Sequence, residues 1–194
     1  MLVLVSSEVR LLPWVHSNCS RVAGVRNGHG PADAIDMLSY MTTDQKGAIA
    51  EAAIAFEAMK LGIGVFRPLG DERYDLIFDL RPALMRIQCK WAVKRQGAIT
   101  VFCLSSRRAP EGFRQRTYSA REVDAIAAYC FELDRCFMIP IDLVADRPSI
   151  ALRVDATRNN QRQGINWADD FDFAARLEQL GAVAQLGERR AGSA

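Results

Sequence analysis

The chain has 194 residues, 49% hydrophobic and 25% charged, with a net charge of +2 at pH 7, which fits one globular domain with a sizeable core and leaves no room for a transmembrane class. Five cysteines (Cys19, Cys89, Cys103, Cys130, Cys136), odd in number and with no C-x-x-C pair, exclude a disulfide framework and a structural zinc site and indicate a reducing, cytoplasmic setting. The only histidines are His16 and His29 and there is no Gly-rich phosphate loop, so histidine-metal nucleases, Ser-His-Asp or Cys-His nucleophiles and ATP-driven chemistry are disfavoured.

Residues 1–40 lack a consistent periodicity, carry the breaker cluster Asn27-Gly28-His29-Gly30-Pro31 and open on an apolar stretch too short for a signal peptide. They are expected to be a poorly ordered extension, with Met37 or Met41 as alternative translation starts. The folded domain is expected over 41–181, followed by a flexible tail over 182–194. Thr42-Thr43-Asp44 signals the start of a helix over about 44–61, with Ile49, Ala52, Ala53, Phe56 and Met59 as its apolar stripe and Gly62 as its stop.

Strand-like runs follow at 63–68, 74–80, 84–92 and 99–104, with turns at Arg81-Pro82-Ala83 and Gln96-Gly97-Ala98. Residues 105–118 read as an Arg-rich loop. Ser119 with Glu122 reads as a capping box for a helix to about Phe131. Strands at 137–141 and 149–154 and a closing helix over 167–180 complete the chain. This order predicts an α/β or α+β domain with a central mixed β-sheet flanked by helices on both faces.

Side chains alternate along a strand, so Gln88 and Lys90 share one face while Ile87, Cys89 and Trp91 point to the other. The turn between the second and third strands brings Asp75 beside them. An acid is disfavoured in an apolar strand, so a buried Asp75 requires a function, and an exposed sheet edge is the plainer explanation. Asp79 shares its face and is a competing ligand. An oxygen-rich site beside a lysine suits a hard divalent ion and phosphodiester hydrolysis. Glu51, one turn into the first helix, offers a second carboxylate or is simply a solvated surface charge.

From Arg86 to Arg121 there are nine basic residues against one acid, Glu111. Lys94, Arg95, Arg107, Arg108, Arg114 and Arg116 in that stretch are candidate DNA contacts, as are Arg158, Asn160, Gln161 and Arg162 in a later polar run. Solvated surface is the alternative for both segments.

The ordered set Glu51, Asp75, Gln88, Lys90 resembles the PD-(D/E)XK nuclease superfamily. Within it the chain looks most like the intron-encoded homing endonucleases of bacterial transfer-RNA genes, in which Gln can replace the acidic residue before X-Lys. The resemblance spans residues 41–173 and includes Phe66-Arg67-Pro68-Leu69-Gly70 and the run Asn159 to Trp167. It implies a restriction-endonuclease-like core and Mg²⁺, for which Mn²⁺ can substitute, held by Glu51 and Asp75 with the backbone carbonyl of Cys89. It also implies that Gln88 assists and Lys90 supports attack of water. The expected substrate is double-stranded DNA cut at a long site by a homodimer or homotetramer. The tail from Gly181 to Arg190 resembles a phrase found in reading frames that cross transfer-RNA genes. Alternatives on the same fold are a Holliday-junction resolvase, a restriction-type nuclease or a catalytically inactive DNA-binding protein; a plain interaction domain is the remaining class.

Overall fold

The computed structural model describes residues 40–157 and 163–180. Helix α1 (Thr43–Lys60) is closed at its start by a reciprocal box: Thr42 Oγ1 accepts from Gln45 N at 3.2 Å and Gln45 Oε1 accepts from Thr42 N at 2.8 Å. At its end Gly62, at φ 75°, donates to Met59 O, and Ile63 N donates to Ala58 O. These paired bonds satisfy the last carbonyls and stop the helix.

The strands are β1 (Gly64–Phe66), β2 (Leu76–Asp79), β3 (Leu84–Arg95), β4 (Ala98–Phe102), β5 (Leu104–Ala109), β6 (Gly112–Thr117), β7 (Ala125–Cys130), β8 (Arg135–Pro140) and β9 (Ser149–Arg153). Seven form one mixed sheet in the order β1-β2-β3-β4-β9, with β7 beside β3 and β8 beside β7. Only the β3–β7 pair is parallel. Helix α2 covers 173–180.

Both helices lie on one face. Ala50, Ile54 and Ala58 of α1 and Phe173 and Leu177 of α2 pack with Leu76, Phe78, Ile87, Cys89, Ala125 and Ala127. The opposite face builds a second core from Ala92, Ile99, Val101, Ile126, Ala128, Phe137, Ile139 and Leu152, closed by short 3-10 turns at Ile141–Leu143 and Ala168–Phe171. No helix among the described residues is long and apolar enough to cross a membrane.

Five expectations are corrected. Of the expected α1 stripe Ile49 and Ala53 do pack against the core, but its centre is Ala50, Ile54 and Ala58, Ala52 is exposed, and Phe56 and Met59 are 58% and 56% exposed. Alanines and scattered charges share the faces of this helix, so periodicity does not single out the buried one, and the side of Ala50, Ile54 and Ala58 is the one that meets the sheet. Residues 105–118 form the β5–β6 hairpin rather than a loop. The helix expected to Phe131 is strand β7, all six of whose residues are buried.

A short apolar run of this kind fits a buried strand or a buried helix equally by pattern. Glu122 does accept from Ser119 N at 3.2 Å and Ser119 Oγ at 3.0 Å, yet these bonds close a turn and no helix follows. With that segment a strand, the described helices flank one face only. Last, the closing helix begins at 173, after a 3-10 turn over Ala168–Phe171, rather than at 167.

Candidate active site

The site lies in a gap along one edge of β3. Ile87 pairs with both β2 and β7, and Ala92 pairs with both β4 and β7. Strands β2 and β4 therefore share the edge of β3 opposite β7, and between them residues 88–91 have no strand partner on that side. Asp75, just before β2, fills the gap. Its N–H donates to Ile87 O at 2.9 Å and its carboxylate Oδ2 accepts the Cys89 N–H at 2.8 Å.

Gln88 is 8% exposed, the one buried polar side chain among the described residues. A buried amide must be satisfied. Its Nε2 donates to Asp75 Oδ2 in a short contact and to Cys89 O at 3.4 Å. The Cys89 carbonyl thus faces the same gap as its N–H. Burial holds the Asp75 carboxyl above the ordinary carboxylate range despite the Cys89 N–H; nearby Glu51 raises it further, while Lys90 and Arg67 act in the opposite direction.

Glu51, on α1, is close enough to act on Asp75 through its charge and receives a hydrogen bond from Arg67 Nη1 at 2.9 Å. Asp79 is set apart from these groups. It is registered opposite Leu84, and its carboxylate accepts from Arg81 N at 3.0 Å in the turn. Burial drives the Cys89 thiol well up, so Cys89 is relevant through its backbone carbonyl and is no nucleophile.

Lys90 lies on the Gln88 face, and its ammonium is fixed in a socket. Nζ donates to Leu104 O at 3.0 Å and to Tyr118 Oη at 3.0 Å. Tyr118 is 3% exposed, and the Arg73 guanidinium stacks 4.4 Å from its ring centroid. Arg73 in turn donates to Ser105 Oγ, Thr117 O and Glu122 Oε1. Sequence reasoning missed Tyr118 and Arg73, and it quoted Arg67 only within the run Phe66 to Gly70, with no role assigned. Arg73 immediately precedes Tyr74-Asp75, and that adjacency was its only signal. Tyr118 is a lone aromatic with no periodic companion.

Among the described residues no three His, Cys, Asp or Glu side chains converge on a metal-sized point. The oxygen donors on this edge are the carboxylates of Asp75 and Glu51, the Cys89 carbonyl and, if its amide turns over, Gln88 Oε1. All are hard ligands of the kind Mg²⁺ prefers, and together they fit such an ion with water completing its shell.

Of the candidate DNA contacts, Lys94 and Arg95 end β3, with Arg95 exposed. Arg114 is exposed on β6 and 3.6 Å from Glu111. Arg116 holds Glu122 Oε1 at 2.5 Å. Arg107 and Arg108 lie in β5, but their side chains fall outside the described residues, as do Arg158, Asn160, Gln161 and Arg162.

The pattern of PD-(D/E)XK endonucleases matches residues 41–174. Among solved structures, the bacterial homing endonuclease I-Ssp6803I aligns with a TM-score of 0.58 at 27% identity, over 78% of this chain and 99% of that one. No curated protein matches the chain.

Proposed function

This chain belongs to the PD-(D/E)XK endonuclease family, and we propose that it is a divalent-metal-dependent endonuclease of the homing type that hydrolyses phosphodiester bonds in double-stranded DNA. The observation that carries this reading is the β3 edge, where Asp75, Gln88 and the Cys89 carbonyl gather beside the fixed ammonium of Lys90. Mg²⁺, with Mn²⁺ as a substitute, supplies Lewis acidity toward the scissile phosphate and a water of lowered pKa.

The protein's own part is positional and electrostatic. Asp75 and Glu51 are the ionic ligands. The Cys89 N–H and the Gln88 amide both donate to Asp75 Oδ2 and hold that oxygen in place, and the Gln88 amide also donates to the Cys89 carbonyl. Lys90 is aimed by two neutral acceptors, so its positive charge stays available to the attacking water and to charge growing on phosphorus. Arg67 partly neutralises Glu51 at the rim.

Cutting both strands requires two such sites, which a homodimer or homotetramer supplies through two-fold symmetry. The four described cysteines are free and buried, which accords with a cytoplasmic setting. A second reading, a DNA-binding protein without chemistry, draws on the Gln88 amide standing where a carboxylate would add a third negative ligand.

The test is the full chain with Mg²⁺ on a plasmid carrying an intronless transfer-RNA gene, beside Asp75→Ala and Lys90→Ala proteins. Cleavage at one locus, lost in both variants, is expected. An uncut plasmid that nonetheless binds in a salt-sensitive manner selects the inactive reading.

A further inference from the structure

We infer that the β5–β6 hairpin is a DNA-reading ribbon that enters the major groove, presenting the face of Ser106, Phe113 and Gln115 to base edges. The inference rests on the nuclease reading above and assigns the recognition surface of that same site.

The hairpin is a separate two-stranded sheet, with six residues per strand joined through Pro110 and Glu111. Neither core cluster contains a residue between 104 and 117, and residues 112–116 are all exposed. A ribbon bare on its outer half is only marginally stable alone, so its shape depends on its root.

The root is strongly held. Arg73 ties Ser105 Oγ at 2.6 Å and Thr117 O at 2.9 Å, Arg116 ties Glu122 at 2.5 Å, and Lys90 ties the Leu104 carbonyl at 3.0 Å. Register separates the two faces. Ser105 opposes Arg116 and Arg107 opposes Arg114 on one; Ser106 opposes Gln115 and Arg108 opposes Phe113 on the other. Both faces touch the body at the root, the first through Arg73 and Glu122 and the second through Thr117, whose Oγ1 donates to Asp146 Oδ1 at 3.4 Å; beyond the root the second face is exposed at Ser106, Phe113 and Gln115.

That outward face suits base edges. Gln115 and Ser106 are exposed hydrogen-bonding groups, and Phe113 is 75% exposed, an apolar surface suited to a thymine methyl. The ribbon carries four arginines against one acid, Glu111, complementary to a phosphate backbone. Six residues at ~3.4 Å each give a ribbon about 20 Å long, which can lie in a major groove about 12 Å wide that admits two strands. Same-face neighbours stand about 6.8 Å apart along a strand, near two steps of ~3.4 Å along DNA. The face therefore spans about three to four base pairs. Because Leu104 and Tyr118 at the root form the Lys90 socket, ribbon placement also sets where the catalytic ammonium meets the backbone.

The experiment is a binding selection from a fully randomised duplex pool by the full chain, with Ca²⁺ replacing Mg²⁺ to prevent cutting. It compares wild type, the triple variant Ser106→Ala/Phe113→Ala/Gln115→Ala and Arg114→Ala. Wild type is expected to enrich one sequence. The triple variant should lose at least tenfold discrimination at one contiguous block of about three to four base pairs and keep the wild-type salt slope. Arg114→Ala should keep the sequence and bind more weakly. Guanine-N7 methylation inside the block should interfere with wild-type binding only.

No enriched sequence, an unchanged preference in the triple variant, or no effect of N7 methylation overturns the ribbon. The nuclease reading is scored separately by Mg²⁺-dependent plasmid cutting and its loss in Lys90→Ala.

Discussion

The Lys90 ammonium donates to the phenol oxygen of Tyr118 at 3.0 Å, and that phenol lies in an otherwise apolar core of Ile126, Ala128 and Val123. Tyr118 thus connects the strand bearing Lys90 to the root of the β5–β6 ribbon. Tyr118→Phe removes this acceptor and leaves Leu104 O as the remaining one. The expected result is a cleavage rate about 10- to 100-fold lower, from an ammonium free to wander by a fraction of an ångström to an ångström. DNA affinity should be unchanged and stability lower by ~1 kcal/mol. Single-turnover cleavage under saturating protein measures it; a wild-type rate would mean that the Leu104 carbonyl alone aims Lys90.

Gln88→Glu tests whether the amide adjoins the metal site. The Gln88 NH₂ presently faces Asp75 Oδ2, so a glutamate would set a buried carboxylate against a half-buried one. Without metal the variant should lose ~1–3 kcal/mol of stability. With Mg²⁺ or Mn²⁺ it should recover, and its metal-dependent rise in Tm should exceed that of wild type. Thermal melts in chelator and in each metal give the comparison. An equal rise in both proteins would remove Gln88 from the metal site.

Much of this edge was legible before any coordinates. Gln88 and Lys90 share a face because a period of two is geometric, and Asp75 stands out as an acid at the head of an apolar run. The gap that receives Asp75 was not legible, since it arises from β2 and β4 leaving the same side of β3, a tertiary relationship. Strand β7 was misread because Ala-Ile-Ala-Ala-Tyr-Cys carries no alternation when both faces are buried. The ribbon was misread because its strands lack apolar alternation. It is fixed by the Arg73 guanidinium, which reaches Ser105 Oγ and Thr117 O across 32 and 44 residues of sequence.

The pair Arg86–Asp124 fastens the start of β7 to β3. Arg86 donates to Asp124 through N at 2.7 Å, Nε at 3.1 Å and Nη2 at 2.8 Å, and Asp124 N returns a bond to Arg86 O. Burial alone would raise the Asp124 carboxyl, but the hydrogen bonds and charge of Arg86 outweigh it and hold the group below its usual range. The folded value is therefore lower than the unfolded one of about 3.9. The pair stabilises the fold fully above that pH, and its contribution disappears as pH falls through the lower folded value. Asp124→Asn should cost ~1–2 kcal/mol at neutral pH, at the modest end because both side chains are about a third exposed. Denaturant melts should show the gap between the two proteins closing at acid pH. A gap independent of pH would assign the loss to packing instead of charge.

The β3–β4 turn is the hinge on which the gap depends, since it returns β4 to the edge of β3. Gln96 at φ 48° and Gly97 at φ 76° are both left-handed, the backbone of a two-residue hairpin turn whose twist matches the strands. Gly97 O accepts from Val154 N at 2.9 Å and from Asp155 N at 3.1 Å, so the segment just after β9 is laid directly over the turn. A Cβ at Gly97 would stand 2.6 Å from Asp155 Oδ2 and 3.0 Å from Asp155 Cβ. Gly97→Ala therefore meets two separable costs, about 1 kcal/mol for the left-handed backbone and a further ~1–2 kcal/mol for overpacking against Asp155. Asp155→Gly in the same protein should recover the second part and leave the first, giving a coupling of ~1–2 kcal/mol in a double-mutant cycle. Equal losses in the presence and absence of the Asp155 side chain would place the whole cost in the backbone. Cleavage by Gly97→Ala at low temperature should remain, because the turn positions β4 without touching Asp75, Gln88 or Lys90.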